Sequence, residues 1–166
     1  MKITSLRVTV CVILFTAVCS LAFILKAEDE PNEDVEEVLK LHGELLESHM
    51  KYDAHGVLAA EPDDIVVVSR GEVLFPSKVE RIFQYEQYLK STEFKEYRDL
   101  IRPIVRVSDD GTLGWLIAQV RIVGTRSRSN GEKTPIDSVW AWIELYEKRD
   151  GRWFRVGEVS NVKSQD

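Results

Sequence analysis

The chain has 166 residues, 44% hydrophobic and 30% charged, enough for one leader segment and one domain with a real core. Residues 1–27 hold Lys2, Arg7 and Lys26 but no acid, so the remainder sets 19 basic against 28 acidic groups, a net charge of −9. Such a domain repels phosphate backbones, and no nucleic-acid partner is expected. Both cysteines, Cys11 and Cys19, lie in the leader, which excludes disulfides, thiolate catalysis and cysteine metal sites from the rest.

Residues 1–7 are basic, and residues 8–25 form an uncharged apolar run of 18. This pattern reads as an export signal, with Ser20-Leu21-Ala22 as a small-x-small cleavage site. A run of this length also leaves an uncleaved membrane anchor open. The product is expected outside the cytoplasm, in the periplasm or beyond, touching the membrane only through this segment. Residues 28–33 are acidic and read as a solvated linker, so the folded domain is expected over 34–166.

Residues 35–52 have helical periodicity. Val35, Val38, Leu39, Leu45, Leu46 and Met50 form one stripe, with Glu36, Glu37, Lys40, Glu44, Glu47 and Lys51 opposite. Asp53 reads as the cap of a short turn at 54–58. Residues 65–68, Ile-Val-Val-Val, read as a strand. Residues 76–90 read as a second helix started by Pro76 or Ser77, with Val79, Ile82, Phe83 and Leu89 on its apolar side.

Residues 98–108 then read as one strand, with Pro103 marking an edge or a bend. Asp109-Asp110-Gly111 is a hairpin turn, and residues 113–123 read as the longest strand. Residues 126–134 are a polar hairpin tip. The last hairpin, 137–162, turns at Arg149-Asp150-Gly151 and holds three Trp, one Tyr and one Phe. Helices gathered before an antiparallel run imply an α+β fold, with helices packed on one face of a strongly curved antiparallel sheet.

The run AAEPDDIVVVS after the first helix, the strand DDGTLGWLIAQVRIVGT and the closing WIELYEKRDGRWFRVGEVSNV resemble the nuclear-transport-factor-like superfamily. The resemblance spans roughly residues 34–162. It is nearest to exported bacterial domains with a DG-[TD]-L-G-[YW] strand and a W-x-DG-x-W-x-V ending, here with Tyr146 in place of the first Trp. It implies a cone-shaped fold shared by ketosteroid isomerase, scytalone dehydratase and polyketide cyclases, and frequent pairing into homodimers. The same cone hosts enzymes and passive binders, so activity does not follow from it.

Polar residues in apolar phase supply the candidate site. His42 and His49 are seven apart, hence within about 20° on one helix face, and both fall in the apolar stripe. Each is either a satisfied core histidine bonded to a carbonyl or to Glu158, or part of a pocket wall. Two helical turns, about 10 Å along the axis, separate them, too far for one metal ion.

Glu158 interrupts the last strand and is either a paired carboxylate, with Arg121 or Arg155, or a general base. The strand at 113–123 alternates Leu116, Ala118, Val120 and Ile122 with Trp115, Ile117, Gln119 and Arg121. The following strand alternates Val139, Ala141, Ile143 and Leu145 with Trp140, Trp142, Glu144 and Tyr146. Which face lines a pocket depends on register, which the pattern leaves open. The candidate ligand-binding set is therefore His42, His49, Trp115, Gln119, Trp140, Trp142 and Glu158.

In the family resemblance, the proton-shuttling Asp of ketosteroid isomerase falls on Ser69 or Arg70, and its oxyanion-hole Tyr falls near Leu45 or Leu46. The scytalone dehydratase pattern finds a loose echo in His42, His49 and Asp53. No G-x-S-x-G, phosphate loop, CxxC or HExxH occurs, and neither cofactor nor metal is expected. The leading expectation is an exported domain binding a small, largely apolar molecule as a homodimer. An isomerase, dehydratase or cyclase using His49 or Glu158 as base, and an interaction module using the Trp140/Trp142 face, are the alternatives.

Overall fold

The structure, a computed structural model, describes residues 32–163. The signal-or-anchor segment, both cysteines and nearly all of the acidic linker lie outside the described residues. Among the described residues no helix is long and apolar enough to cross a membrane.

Helix α1, Glu33–Met50, buries Val38, His42, Leu45, Leu46 and His49, the stripe its sequence spaces at three and four. Tyr52 ends it in the left-handed region (φ 59°), and Asp53 N–H reaches back to the Ser48 carbonyl at 3.0 Å, a Schellman closure on a non-glycine residue. Asp53 then caps the short helix α2, Ala54–Val57, by accepting from Gly56 N–H. Helix α3, Lys78–Ser91, starts at Ser77 with a full capping box to Glu80. Its buried side differs from the expected one. Arg81 and Leu89 are buried, with Ile82, Tyr85 and Tyr88 packed beside the core. Val79 and Phe83 are 76% and 61% exposed, because the face spaced 81, 85, 88, 89 turns to the sheet instead.

Seven strands form one sheet: β1 Val66–Ser69, β2 Glu72–Leu74, β3 Thr92–Asp99, β4 Ile104–Val107, β5 Leu113–Ser127, β6 Lys133–Arg149 and β7 Arg152–Val162. The order is β2-β1-β7-β6-β5-β3, with β4 also paired to β5. The α+β expectation stands, with one change: β1 runs parallel to β7, so the sheet is mixed.

Three strand expectations change as well. Residues 98–108 are not one strand, because the chain breaks at 100–103, before and at Pro103, and β3 and β4 dock separately on β5. The hairpin partner β2 and most of β3 carry no clear alternation and escape a reading by pattern. The longest strand is β6, with 17 residues, ahead of β5 with 15. The Asp150-Gly151 turn, with φ of 50° and 77°, joins β6 to β7 as the sequence requires.

Each of β3 and β7 contains a bulge. Lys95 is extra between Phe94 and Glu96, and Val156 is extra between Arg155 and Gly157. Each bulge shifts the inward phase by one residue and adds local twist. On β7 the inward side therefore runs Trp153, Arg155, then Glu158 and Ser160. The core lies between this face and the helices, around Val38, Leu45, Leu58, Leu116, Ala118, Val120 and Tyr146.

Candidate functional site

Register decides which strand faces meet the helices. Leu116, Ala118, Val120 and Ile122 of β5 are buried, and they stand across from Glu144, Trp142, Trp140 and Ser138 of β6. The aromatic and polar face of β6 is thus the inner one. Between it and α3 opens a cavity of about 370 Å³. His49 reaches it from α1, Tyr85, Tyr88 and Gln84 from α3, and Tyr97 from β3. Ile122 and Arg126 of β5, Trp140 and Trp142 of β6, Glu158 and Ser160 of β7, and Arg70 complete the lining.

His49 is held in an aromatic frame. Its ring stacks on Tyr97 at 4.2 Å and meets Tyr85, Tyr88 and Phe94 edge-on. Nδ1 lies 2.9 Å from the Leu45 carbonyl, so that nitrogen carries the proton and donates. Nε2 is left as an acceptor with no partner among the described residues. Burial lowers the ring pKa to about 4, the backbone bond opposing and Arg155 adding to the fall, so the imidazole is neutral. The indole N–H of Trp142 is buried without a hydrogen-bond partner among the described residues, and Tyr85 and Tyr97 line the same cavity. Burial raises both tyrosine pKa values, which keeps the phenols protonated.

His42, seven residues earlier, does not line the cavity. Nε2 lies 3.0 Å from Asp99 Oδ1, and Nδ1 faces Glu144 Oε2 at 3.7 Å, an ion-pair rather than a hydrogen-bond separation. Burial alone would lower its pKa, but Asp99 and Glu144 together outweigh it and raise the value to about 9. Here the sequence alternatives divide: His42 is a paired core histidine, while His49 both bonds a carbonyl and faces the cavity.

From His42 a buried ionic chain runs behind the cavity wall. Arg155 Nη1 bonds Glu144 Oε1 at 2.8 Å and its Nη2 pairs with Glu61, which Arg81 also grips. Arg81 reaches Glu158 at 3.4 Å, and Arg155 lies 4.0 Å from the same carboxylate. Tyr146 donates to Glu144 at 2.8 Å. Burial would raise the Glu144 pKa, yet Arg155 and His42 bring it down to about 2. Three cations, His42, Arg81 and Arg155, thus stand among four carboxylates, Asp99, Glu61, Glu144 and Glu158. The centre of this chain holds only while every partner remains, since Glu61, Glu144 and Arg155 have lost their water.

Sequence reasoning missed most of this chain. Glu61 reads as part of a turn, and Arg81 carries no motif. One signal was available: Arg81 shares the helical phase of Tyr85 and Leu89, so a charge there has to be buried and paired.

Four of the seven candidates, His49, Trp140, Trp142 and Glu158, meet at the cavity. Trp115 and Gln119 are not brought there, because β5 turns them to the opposite face of the sheet. Glu158 pairs with Arg81 and Arg155; Arg121 lies on the outer face and binds Asp137 at 3.0 Å instead. The Trp140/Trp142 face looks inward, and both rings line the cavity. Ser69 ends β1 and Arg70 follows it, so that position holds no carboxylate. No cluster of three or more His, Cys, Asp or Glu placed to hold a metal ion occurs among the described residues.

No protein-family model matches the sequence, and no curated protein matches it. Solved structures do. An uncharacterized protein with a cystatin-like fold from Caulobacter vibrioides aligns with a TM-score of 0.65 at 13% identity, over 80% of this chain and 92% of that one. An NTF2-like protein from Cytophaga hutchinsonii aligns with a TM-score of 0.59 at 16% identity, over 76% and 95%. A ketosteroid isomerase-like protein from Erwinia carotovora gives 0.59 at 18% identity, over 81% and 99%. At these identities the shared property is architecture, and it is the one the sequence motifs implied: the chain has the α+β cone fold of the nuclear-transport-factor-like (NTF2-like) superfamily.

Proposed function

We propose that the domain is exported and binds a small, largely apolar molecule in the cavity between α3 and the sheet. The observation that carries this reading is a set of unspent polar groups in an aromatic enclosure. His49 Nε2 and the buried Trp142 N–H, with the rings of Tyr85 and Tyr97, surround a space within the range of small-ligand sites. Buried donors and acceptors without partners are costly, and a ligand or trapped water offsets that cost. Export rests on the basic and apolar leader.

Native mass spectrometry of the protein purified from its own cell envelope tests the reading. A bound species of constant mass, lost on unfolding, is the expected result. Recovery of bare protein alone, with no small molecule raising the melting temperature in a broad screen, would count decisively against it.

A catalytic version has one observation in its favour: the neutral His49 lone pair and the Glu158 carboxylate share one cavity. If the retained molecule is turned over, His49→Phe should abolish turnover while leaving the melting curve near native at pH 7. Isomerisation with a base at the end of β1 is not supported, given Ser69 and Arg70. The reading also includes a homodimer through the outer sheet face, where Leu113, Ile117, Leu145 and Val159 are exposed around Trp115.

A further inference from the structure

The opening of the cavity carries a charge pattern that its interior does not. Arg70, in the turn between β1 and β2 with φ of 53°, and Arg126, near the end of β5, both line the cavity and are both exposed. Neither guanidinium has a carboxylate partner among the described residues, whereas Arg81, Arg121, Arg149 and Arg155 are each ion-paired. Arg126 lies over the Tyr88 ring, 5.0 Å from its centroid, which holds it against the cavity wall. Guanidinium groups present planar forks of donors that match a carboxylate.

The carboxylate lining the interior, Glu158, is already engaged by Arg81 and Arg155 and would repel a second anion beside it. A charged ligand end must therefore face the rim. Between rim and interior the walls are rings: Trp140, Trp142 and Tyr97 on the sheet side, Tyr85 and Tyr88 on α3 opposite. A space of about 370 Å³ is small for a ligand site and fits one ring or two fused rings.

The geometry points to a flat, apolar organic acid as the occupant, its ring system between the tryptophans and tyrosines and its carboxylate at the rim on Arg70 and Arg126. This assignment rests on the cavity reading above and adds charge, shape and orientation to it.

Titration of full-length protein with 2-naphthoate and its neutral isostere 2-naphthamide, followed by tryptophan fluorescence and calorimetry, separates the two levels. The acid should bind roughly tenfold or more tightly than the amide, as charge-assisted bonds exceed neutral ones. That preference should shrink at high salt. In the double variant Arg70→Gln/Arg126→Gln, checked for folding by its melting curve, it should collapse to about twofold or less. Equal binding of acid and amide overturns the organic-acid assignment and leaves the cavity reading standing. A preference that survives in the double variant overturns the placement of the carboxylate. Binding of neither probe to the native protein, with no change in tryptophan emission, overturns the assignment, and the cavity reading falls with it only when the broad melting-temperature screen also finds no ligand.

Discussion

His42 and His49 share one face of one helix, yet their surroundings hold opposite charge states. The His42 pKa is raised from 6.5 to about 9, so its contribution to stability is complete below pH 6.5 and is lost as pH rises through 9. The His49 pKa is lowered to about 4, so the unfolded chain takes up that proton first. Its contribution is complete above pH 6.5 and is lost as pH falls toward 4. Glu144, lowered to about 2, adds a further loss below pH 4.5. Unfolding stability should therefore peak near pH 6.5 and fall by up to about 3 kcal/mol on each side. Denaturant melts from pH 4 to 9 would measure this; His49→Phe should flatten the acid limb and His42→Gln the alkaline one. A stability profile level from pH 5 to 8 would contradict both assignments.

Arg155 is 3% exposed and touches Glu61 and Glu144. Arg155→Met leaves Glu144 buried without its guanidinium and Glu61 with Arg81 alone, and a loss of about 3–5 kcal/mol is expected in the same melts. A loss below 1 kcal/mol would mean that water reaches the chain of charges. These ions also mark where the sequence becomes hard to read. A histidine in an apolar stripe announces itself, but whether it meets carboxylates or aromatic rings depends on β3 and β6, far away in the chain. His42 and His49 look alike along the helix and differ only in what lies opposite.

Among the elements, those with local chemistry were legible. Ser77 with Glu80, Asp53 with Gly56, and Asp150-Gly151 each satisfy a backbone requirement within four residues, and each stands where the sequence puts it. Elements with interrupted alternation were not. In β3 the inward residues are Thr92 and Phe94, then Tyr97 and Asp99, because Lys95 is extra. Beside that bulge, Gly124 of β5 lies so close to β3 that an added Cβ would stand within 2.3 Å of the Glu93 carbonyl oxygen. Backbone cannot yield as a side chain can, so Gly124→Ala should cost about 1–3 kcal/mol by denaturant unfolding. An unchanged midpoint would show that β3 can move away from β5 freely.

At the scale of the molecule, the sheet's two faces divide the candidates. The inner face takes Trp140, Trp142 and Glu158 to the cavity, and the outer one leaves Leu113, Ile117, Leu145 and Val159 exposed at 37–57%. Periodicity alone separated the faces correctly but could not orient them, since both combine apolar area with polar atoms. If a second copy covers the outer face, sedimentation equilibrium should give a dimer, and Ile117→Glu with Leu145→Lys should give a folded monomer. A wild-type monomer at high concentration would remove that interface.

The extra residue at Val156 has a consequence of its own. It alone lets Arg155 serve the ionic chain while Glu158 and Ser160 furnish the cavity wall, two tasks on a strand whose plain alternation could perform only one. Were the ladder to slip past this point by a single step, Val159 would swing in and Glu158 out. The enclosure would then exchange an acid for a hydrocarbon with no codon altered. Its polarity is written in the phase of a strand as much as in the identity of its side chains.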